Sequence, residues 1–488
     1  MVLTTPLWAL IMVMRFLLMC CHDQASPPIL QNEGNISQNN IDALKNTPCR
    51  YVVSLWPNVT TKTFEGILEG LIKVEEPMNY TIFNIADLNI KEIKLSTRDA
   101  QNETIEWKIN QLFETTATHS LTIFFDELTP QNRRLQFYFS FSGEIREEWR
   151  GIYYKSYYVN GVERRNVFTN GYTLGIFPCV YQVRHEQSIE LNLIHERNLT
   201  VLSNFALQEN NTLTSGAIAR LNYYLAFNLT DQNLKVTVFK FKRIPIQRFS
   251  FAIGEFAQMA KDSKNHTVKI YAPASQIKMA KYALNQSVKI LNFYYNYTDN
   301  TLNPDLKEIG IVAAGNVGGY SSEGLIQMSP ENLFYQPGVS PAELKHKVAF
   351  ELAYQIAKLW FGNYLFVPSA FLNFALEGFA AYTANQAMAS IVNEQNAENR
   401  YEEWFNQVME DDSLAATQGF HGPKLANQKT QYNPFGFQKG ALIVKMMERT
   451  VSSKKLQAAI QFLITRTPRQ KFFRELSSFY VTIDRIFL

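Results

Sequence analysis

Residues 360–382 read WFGNYLFVPSAFLNFALEGFAAY. From Ala370 the apolar spacing is that of a long helix running to about Val392. Glu377 is the acidic side chain of this stretch. A carboxylate in so apolar a helix asks for burial with a partner; the competing reading is an ordinary surface carboxylate. Just upstream, ELKHKVAFELAYQIAKLWF (Glu343–Phe361) is a second helical segment, in which Lys358 either meets a partner or snorkels to solvent and Tyr354 is as much a core aromatic as a polar contact. SQIKMAKYALNQSVKILNFYYNY (Ser275–Tyr297) and KGALIVKMMERTVSSKKLQAAIQFLITRT (Lys439–Thr467) are helical as well. The second half of the chain is therefore expected to be helix-dominated, after a short mixed segment containing VKIYAP and EIGIVAAG.

Residues 46–242 have a different rhythm. Short runs rich in Val, Ile, Phe, Tyr and Thr alternate with turn clusters: RYVVSLWPN (Arg50–Asn58), EGILEGLIKVEEP (Glu65–Pro77), SLTIFFDEL (Ser120–Leu128) and RLQFYFSFSGE (Arg134–Glu144). This spacing predicts an all-β, sandwich-like or saddle-shaped domain. The chain has 488 residues with 46% hydrophobic and 13% aromatic side chains, enough for a large core. Its 47 basic and 44 acidic side chains leave a net charge of +3, which excludes a strongly basic nucleic-acid binder. A mean hydropathy of −0.18 excludes a polytopic membrane protein.

The first 21 residues, MVLTTPLWALIMVMRFLLMCC, resemble a secretory signal peptide, with small residues near Ala25–Ser26 for cleavage. Arg15 inside the apolar run leaves a type II signal-anchor as the alternative, which would place the chain at the plasma membrane instead of outside the cell. Ten N-x-S/T sequons fit the secretory route: Asn35, Asn58, Asn79, Asn102, Asn198, Asn210, Asn228, Asn265, Asn285 and Asn296. With Cys20 and Cys21 removed by cleavage, Cys49 and Cys179 remain, either paired or as buried thiols.

Taken in order, several segments resemble the aminopeptidase N family of zinc metallopeptidases. WFGN followed 14 residues after its Asn by E-G-F-A is similar to the family's zinc-helix region. Pro48–Pro77 resembles its first strands, Phe141–Gly161 its G-x-Y-x-S-x-Y segment, and Phe177–Cys179 its FPC. Tyr282–Tyr297 and Gln438–Met447 resemble two of its catalytic-domain helices. The resemblance covers residues 46–475. It implies an α+β multidomain fold: a signal peptide or anchor over 1–25, a β-rich saddle-like domain over 27–264, and a thermolysin-like, mostly helical domain over 265–488. It also implies that the chain ends while that last domain is still adding helices, with apolar surface left uncovered near the C-terminus.

In that family, H-E-x-x-H supplies two zinc ligands and the general base, and a Glu on the next helix supplies the third ligand. A G-A-M-E-N loop carboxylate takes the substrate amine, and a Tyr before K-G-A steadies the oxyanion. Anchored on WFGN, a gap-free register puts Tyr354 and Lys358 at the two His positions, Gln355 at the general base and Glu377 at the third ligand. Ser321 falls at the amine-binding Glu, Phe437 at the Tyr, and Val167-x-Thr169 at the substrate-contacting Gln-x-Glu. A second register reads Phe350-Glu351-Leu352-Ala353-Tyr354 as the motif and needs a four-residue insertion; the gap-free one is preferred. Neither supplies a His, and the seven His (His22, His119, His185, His195, His266, His346 and His421) contain no i,i+4 pair.

The resemblance thus implies a secreted homologue with a degenerate site, no zinc cofactor and no hydrolysis. Peptides or an extracellular protein are the expected partners, with no nucleic acid, and a membrane only if the N-terminal segment is retained. The alternatives are an active zinc aminopeptidase and a structural or interaction glycoprotein. Opposite charges at Lys358 and Glu377 suggest that the Lys358 ammonium stands roughly where zinc would, with Tyr354 alongside donating its hydroxyl.

Overall fold

The computed structural model describes residues 48–98, 104–129, 131–180, 186–208, 233–303, 306–315, 319–365, 370–413 and 434–466. The expected signal peptide or anchor and the sequons at Asn35, Asn102, Asn210 and Asn228 lie outside these residues, as do the side chain of Cys49 and all of His22, His185 and His421. Among the described residues no helix is long and apolar enough to cross a membrane.

The chain divides into two compact units at Phe256/Ala257. The division falls ahead of the 264/265 boundary expected from the sequence because the strand Ala257–Asp262 pairs with Thr267–Ala272, inside the second unit.

Among its described residues the first unit is built of strands, with two short 3-10 turns at Thr173–Gly175 and Ile246–Arg248. Its strands are β1 (Pro48–Asn58), β2 (Thr63–Lys73), β3 (Tyr80–Asn84), β4 (Leu88–Arg98), β5 (Thr104–Trp107), β6 (Ile109–Thr115), β7 (Ser120–Phe125), β8 (Arg134–Glu144), β9 (Ile152–Val159), β10 (Val162–Thr169), β11 (Glu186–Glu196), β12 (Thr200–Ser203), β13 (Leu234–Pro245) and β14 (Phe251–Gly254). They form a seven-stranded sheet in the order β13-β11-β1-β2-β8-β4-β5, a four-stranded sheet β12-β14-β10-β9 and a three-stranded sheet β3-β7-β6. Strand β8 shows the cause: Leu135, Phe137, Phe139 and Phe141 alternate along it and are buried, so one face of the sheet is apolar. Phe83 of β3 packs its ring edge-on against Phe137 and Phe139, at 5.0 and 4.8 Å, which joins the small sheet to the large one. The rings of Phe137 and Phe141 lie where a Cβ on Gly70 or Gly66 would stand, so these glycines make room for the aromatic layer. Cys179 is a buried free thiol whose ionisation burial pushes far up, so it is chemically quiet.

The second unit has a five-stranded sheet of β15 (Ala257–Asp262), β16 (Thr267–Ala272), β17 (Glu308–Ala313), β18 (Tyr320–Ser322) and β19 (Leu325–Met328), in the order β15-β16-β17-β19-β18. Helix α1 (Lys281–Thr298) is the crossover between the parallel strands β16 and β17. The larger helices that follow are α2 (Ala342–Ala357), α3 (Ala370–Ile391), α4 (Glu394–Ser413), α5 (Pro434–Val451) and α6 (Ser453–Arg466). The helical run expected over 439–467 is broken at Ser452, whose φ of 86° takes it out of helical geometry. Trp360, fully buried, holds the core: its ring stacks on Tyr294 of α1 at 5.1 Å, and the Tyr294 hydroxyl donates to the Ala353 carbonyl of α2 at 3.2 Å. This packing fixes α2 against α1 and so sets where Tyr354, Gln355 and Lys358 stand.

Candidate functional site: a carboxylate held by an ammonium and a phenol

The site rests on α2, α3, α5 and strand β18, all within the second unit. Helix α2 is buried from Val348 through Ala357 save part of Glu351, and it ends at Lys358, which caps it while keeping helical dihedrals. Tyr354 and Lys358 are one turn apart and share a face. Helix α3 brings Glu377 to that face. The Lys358 Nζ lies 2.9 Å from Glu377 Oε1, with the two side chains 14% and 23% exposed. The Tyr354 hydroxyl donates to the other oxygen, Oε2. The Lys358 ammonium also stands 5.3 Å from the centroid of the Tyr354 ring. Glu377 thus has both oxygens engaged, one by a cation and one by a phenol.

Helix α5 closes the site through two glycines. A Cβ on Gly378, the residue after Glu377, would meet the backbone of Gly440 at 2.6–2.9 Å, so α3 and α5 touch main chain to main chain. That contact sets Phe437, one turn before Gly440, with its ring 5.2 Å from the Tyr354 ring. Phe350, one turn before Tyr354, stacks on its other side at 6.3 Å, and Trp404 of α4 lies edge-on to both Phe350 and Phe437, at 5.5 and 5.7 Å. The Tyr354 ring is walled in by aromatics, and its hydroxyl has a fixed direction.

Gln355 is 1% exposed and points the other way, toward β18. The Ser321 Oγ lies 2.8 Å from Gln355 Oε1 and 3.0 Å from the Gln355 carbonyl, donating to this pair of oxygens. Gly319, at φ 65°, leaves the space that the Gln355 amide fills; a Cβ there would meet it at 2.8 Å. Asn363 ties the two sides, donating to the Ser321 carbonyl at 3.1 Å and to the Lys358 carbonyl at 2.8 Å. Glu351 keeps some exposed surface, yet desolvation of its carboxyl, opposed by Lys347, Lys358 and Arg400, pushes its pKa up to about 7.

The structure therefore brings Tyr354, Lys358 and Glu377 into contact, sets Phe437 against them, and joins Gln355 to Ser321. Val167 and Thr169 lie in the first unit, both fully buried; the backbone N–H of Phe251 donates to the Thr169 hydroxyl at 2.9 Å. Asn363 and the Gly378–Gly440 contact were not singled out as site residues, although Asn363 is the last letter of WFGN and both glycines follow quoted motif residues. Nothing in the one-dimensional pattern says that two glycines on separate helices meet.

The donor set does not fit a zinc ion. A tetrahedral site needs three N, O or S ligands able to give a lone pair, and an ammonium has none. The one carboxylate is already bonded on both oxygens. Among the described residues no three His, Cys, Asp or Glu side chains gather closely enough to hold a metal.

A β-rich unit followed by a helical unit with a mixed five-stranded sheet, its site on paired helices, is the two-domain α+β architecture of a metallopeptidase. Residues 47–223 match the Peptidase M1 N-terminal domain and residues 282–475 the Peptidase family M1 domain. The chain belongs to the aminopeptidase N, or M1, family. It is 24% identical over 344 residues to a puromycin-sensitive aminopeptidase of Caenorhabditis elegans, covering 69% of this chain and 34% of that protein. It is 23% identical over 458 residues to endoplasmic reticulum aminopeptidase 1 of Rattus norvegicus, covering 90% and 46%. With aminopeptidase A of Gloydius brevicauda the identity is 24% over 447 residues, covering 86% and 42%. The chain spans under half the length of these relatives.

Proposed function

We propose that this chain is a catalytically silent member of the aminopeptidase N family, in which an ion pair does the structural work of the metal. One observation carries the reading: the Lys358 ammonium sits 2.9 Å from the Glu377 carboxylate, at the two positions that align with zinc ligands. The other substitutions agree with it. Gln355 has no basic atom to take a proton from water at neutral pH, and its amide is already bonded to Ser321. Phe437 has no hydroxyl for an oxyanion. Each loss costs roughly 10²–10⁴-fold in rate, and together they leave no route to metal-assisted hydrolysis.

What the family's cleft retains without its chemistry is a surface for peptides or a protein partner, and binding is the activity proposed here. The route is secretory. Of the sequons among the described residues, Asn79, Asn198, Asn265 and Asn296 are exposed, and Asn58 and Asn285 are half-buried.

The test is hydrolysis of aminoacyl-arylamides, with zinc added, by the natural chain and by the variant carrying Tyr354→His, Gln355→Glu and Lys358→His. The natural chain should give no turnover above the background. The variant should take up zinc yet regain little rate, because Ser321 and Phe437 remain. Zinc-dependent turnover by the natural chain would refute the proposal.

A further inference from the structure

The dipeptide Asn-Gly occurs twice in the chain, at Asn160–Gly161 and at Asn170–Gly171. In this dipeptide an asparagine carboxamide is open to attack by the next backbone nitrogen, because glycine has no Cβ to hinder the approach. Both copies lie in the first unit, and the structure treats them differently.

Asn160 and Gly161 form the two-residue loop between β9 and β10, whose last ladder pair is Val159 with Val162. Their φ values are 51° and 79°, as a type I′ hairpin turn requires. The ladder ends at Val159 and Val162, which leaves the Gly161 nitrogen outside it. Both loop residues are exposed, and a Cβ built on Gly161 would meet nothing within 4 Å. Tyr158, Val159 and Val162 are exposed as well, so little packing steadies the loop.

Asn170 has the opposite surroundings. It is 4% exposed. Its Nδ2 donates to the Trp149 carbonyl at 2.6 Å, and its Oδ1 accepts from the Tyr172 N–H at 3.3 Å. The Gly171 carbonyl accepts from the Thr173 N–H and hydroxyl, at 2.9 and 3.1 Å. The carboxamide is bonded at both ends, and it turns toward the Gly171 nitrogen only when the segment opens locally.

We propose that Asn160 is a site of spontaneous deamidation, and that the fold spares Asn170. The Gly161 nitrogen attacks Asn160 Cγ and a Cγ–N bond forms. The Cγ–Nδ2 bond breaks, and ammonia leaves with the proton that the Gly161 nitrogen gives up, which closes a cyclic imide. Water then adds to either imide carbonyl and opens the ring, giving aspartate or isoaspartate. Nothing is oxidised or reduced. Both products put a carboxylate at the hairpin tip where a neutral amide stood, beside Val159 and Tyr158. Isoaspartate also lengthens the main chain by a methylene inside a turn that has room for two residues only.

The test is peptide mapping by mass spectrometry of the natural folded chain, held at mildly alkaline pH and body temperature and compared with a sample digested at once. The two sites fall in separate tryptic peptides, Ser156–Arg164 and Asn166–Arg184, and Asn160 is the only amide side chain of the first. That peptide should gain about 1 Da and split into two chromatographic forms, aspartate and isoaspartate. Asn160 should react at least about tenfold faster than Asn170. In urea, where the fold no longer protects Asn170, the two should react at similar rates. The proposal is overturned if the Ser156–Arg164 peptide gains no mass beyond the control, or if Asn170 reacts as fast as Asn160 in the folded chain. It is also overturned if Asn170 stays equally spared in urea, since the fold would then not be the cause.

Discussion

At Glu377 two large terms nearly cancel. Taking a carboxylate and an ammonium out of water costs several kcal/mol each, and their attraction returns most of it only when geometry is good. Both side chains keep some solvent, at 14% and 23%, so the net value of the pair is small. Breaking it is different, because one charge is left without its partner. Lys358→Ala should destabilise by about 2–4 kcal/mol, somewhat less than for a fully buried pair. Adding Glu377→Gln should recover part of that, a coupling that denaturant melts of the four-membered cycle will read. Tyr354→Phe removes the second donor to the carboxylate and should cost about 1.5–3 kcal/mol. Glu351 gives a pH test of the same region. An acid whose folded pKa is raised to about 7 holds its proton longer folded than unfolded. Its effect on stability is absent below about pH 4 and grows unfavourable as pH rises toward 7. The stability of Glu351→Gln relative to the natural chain should therefore rise by about 1–3 kcal/mol between pH 4.5 and 7.5, and a flat difference would show that the carboxyl is not desolvated.

Among the helices, the closest contact at the site is that of α3 with α5 at Gly378 and Gly440. On an exposed helix Gly→Ala stabilises by about 1 kcal/mol. Here the added methyl would meet backbone atoms at 2.6–2.9 Å, which cannot swing away as a side-chain tip can. Overpacking of about 1–3 kcal/mol should win, so Gly378→Ala should lower the unfolding midpoint; a rise would mean that the helices part freely. Much of this level was legible beforehand. Period-2 runs such as RLQFYFSFSGE announced the strands, and the apolar spacing around Glu377 announced α3. The spacing of WFGN to Glu377 located Tyr354 and Lys358 on the preceding helix. Three things were not legible. The break at Ser452 depends on one residue in a conformation that serine seldom adopts. The strand Ala257–Asp262 belongs to the second unit because of its pairing partner, which no local pattern names. The bond from Ser321 to Gln355 joins residues 34 apart through a fold.

At the scale of the whole molecule, the two-domain α+β architecture of the M1 family carries the Lys358–Glu377 pair in its second unit. The second unit is built on the parallel crossover through α1, the Trp360–Tyr294 stack and the contact of Gly378 with Gly440. The proposed secretory route has its own check. Material from an animal-cell secretory pathway should lose apparent mass on glycosidase treatment, through Asn79, Asn198, Asn265 and Asn296 first, since these are exposed. No shift in mobility would contradict it. The proposed function puts a cation of the chain's own, the Lys358 ammonium, in the role of zinc between α2 and α3. The most direct measurement is the metal content of purified protein after incubation with excess zinc and desalting. Far less than one zinc per chain is expected, with unfolding unaffected by chelators. One zinc per chain, lost to a chelator together with stability, would contradict it.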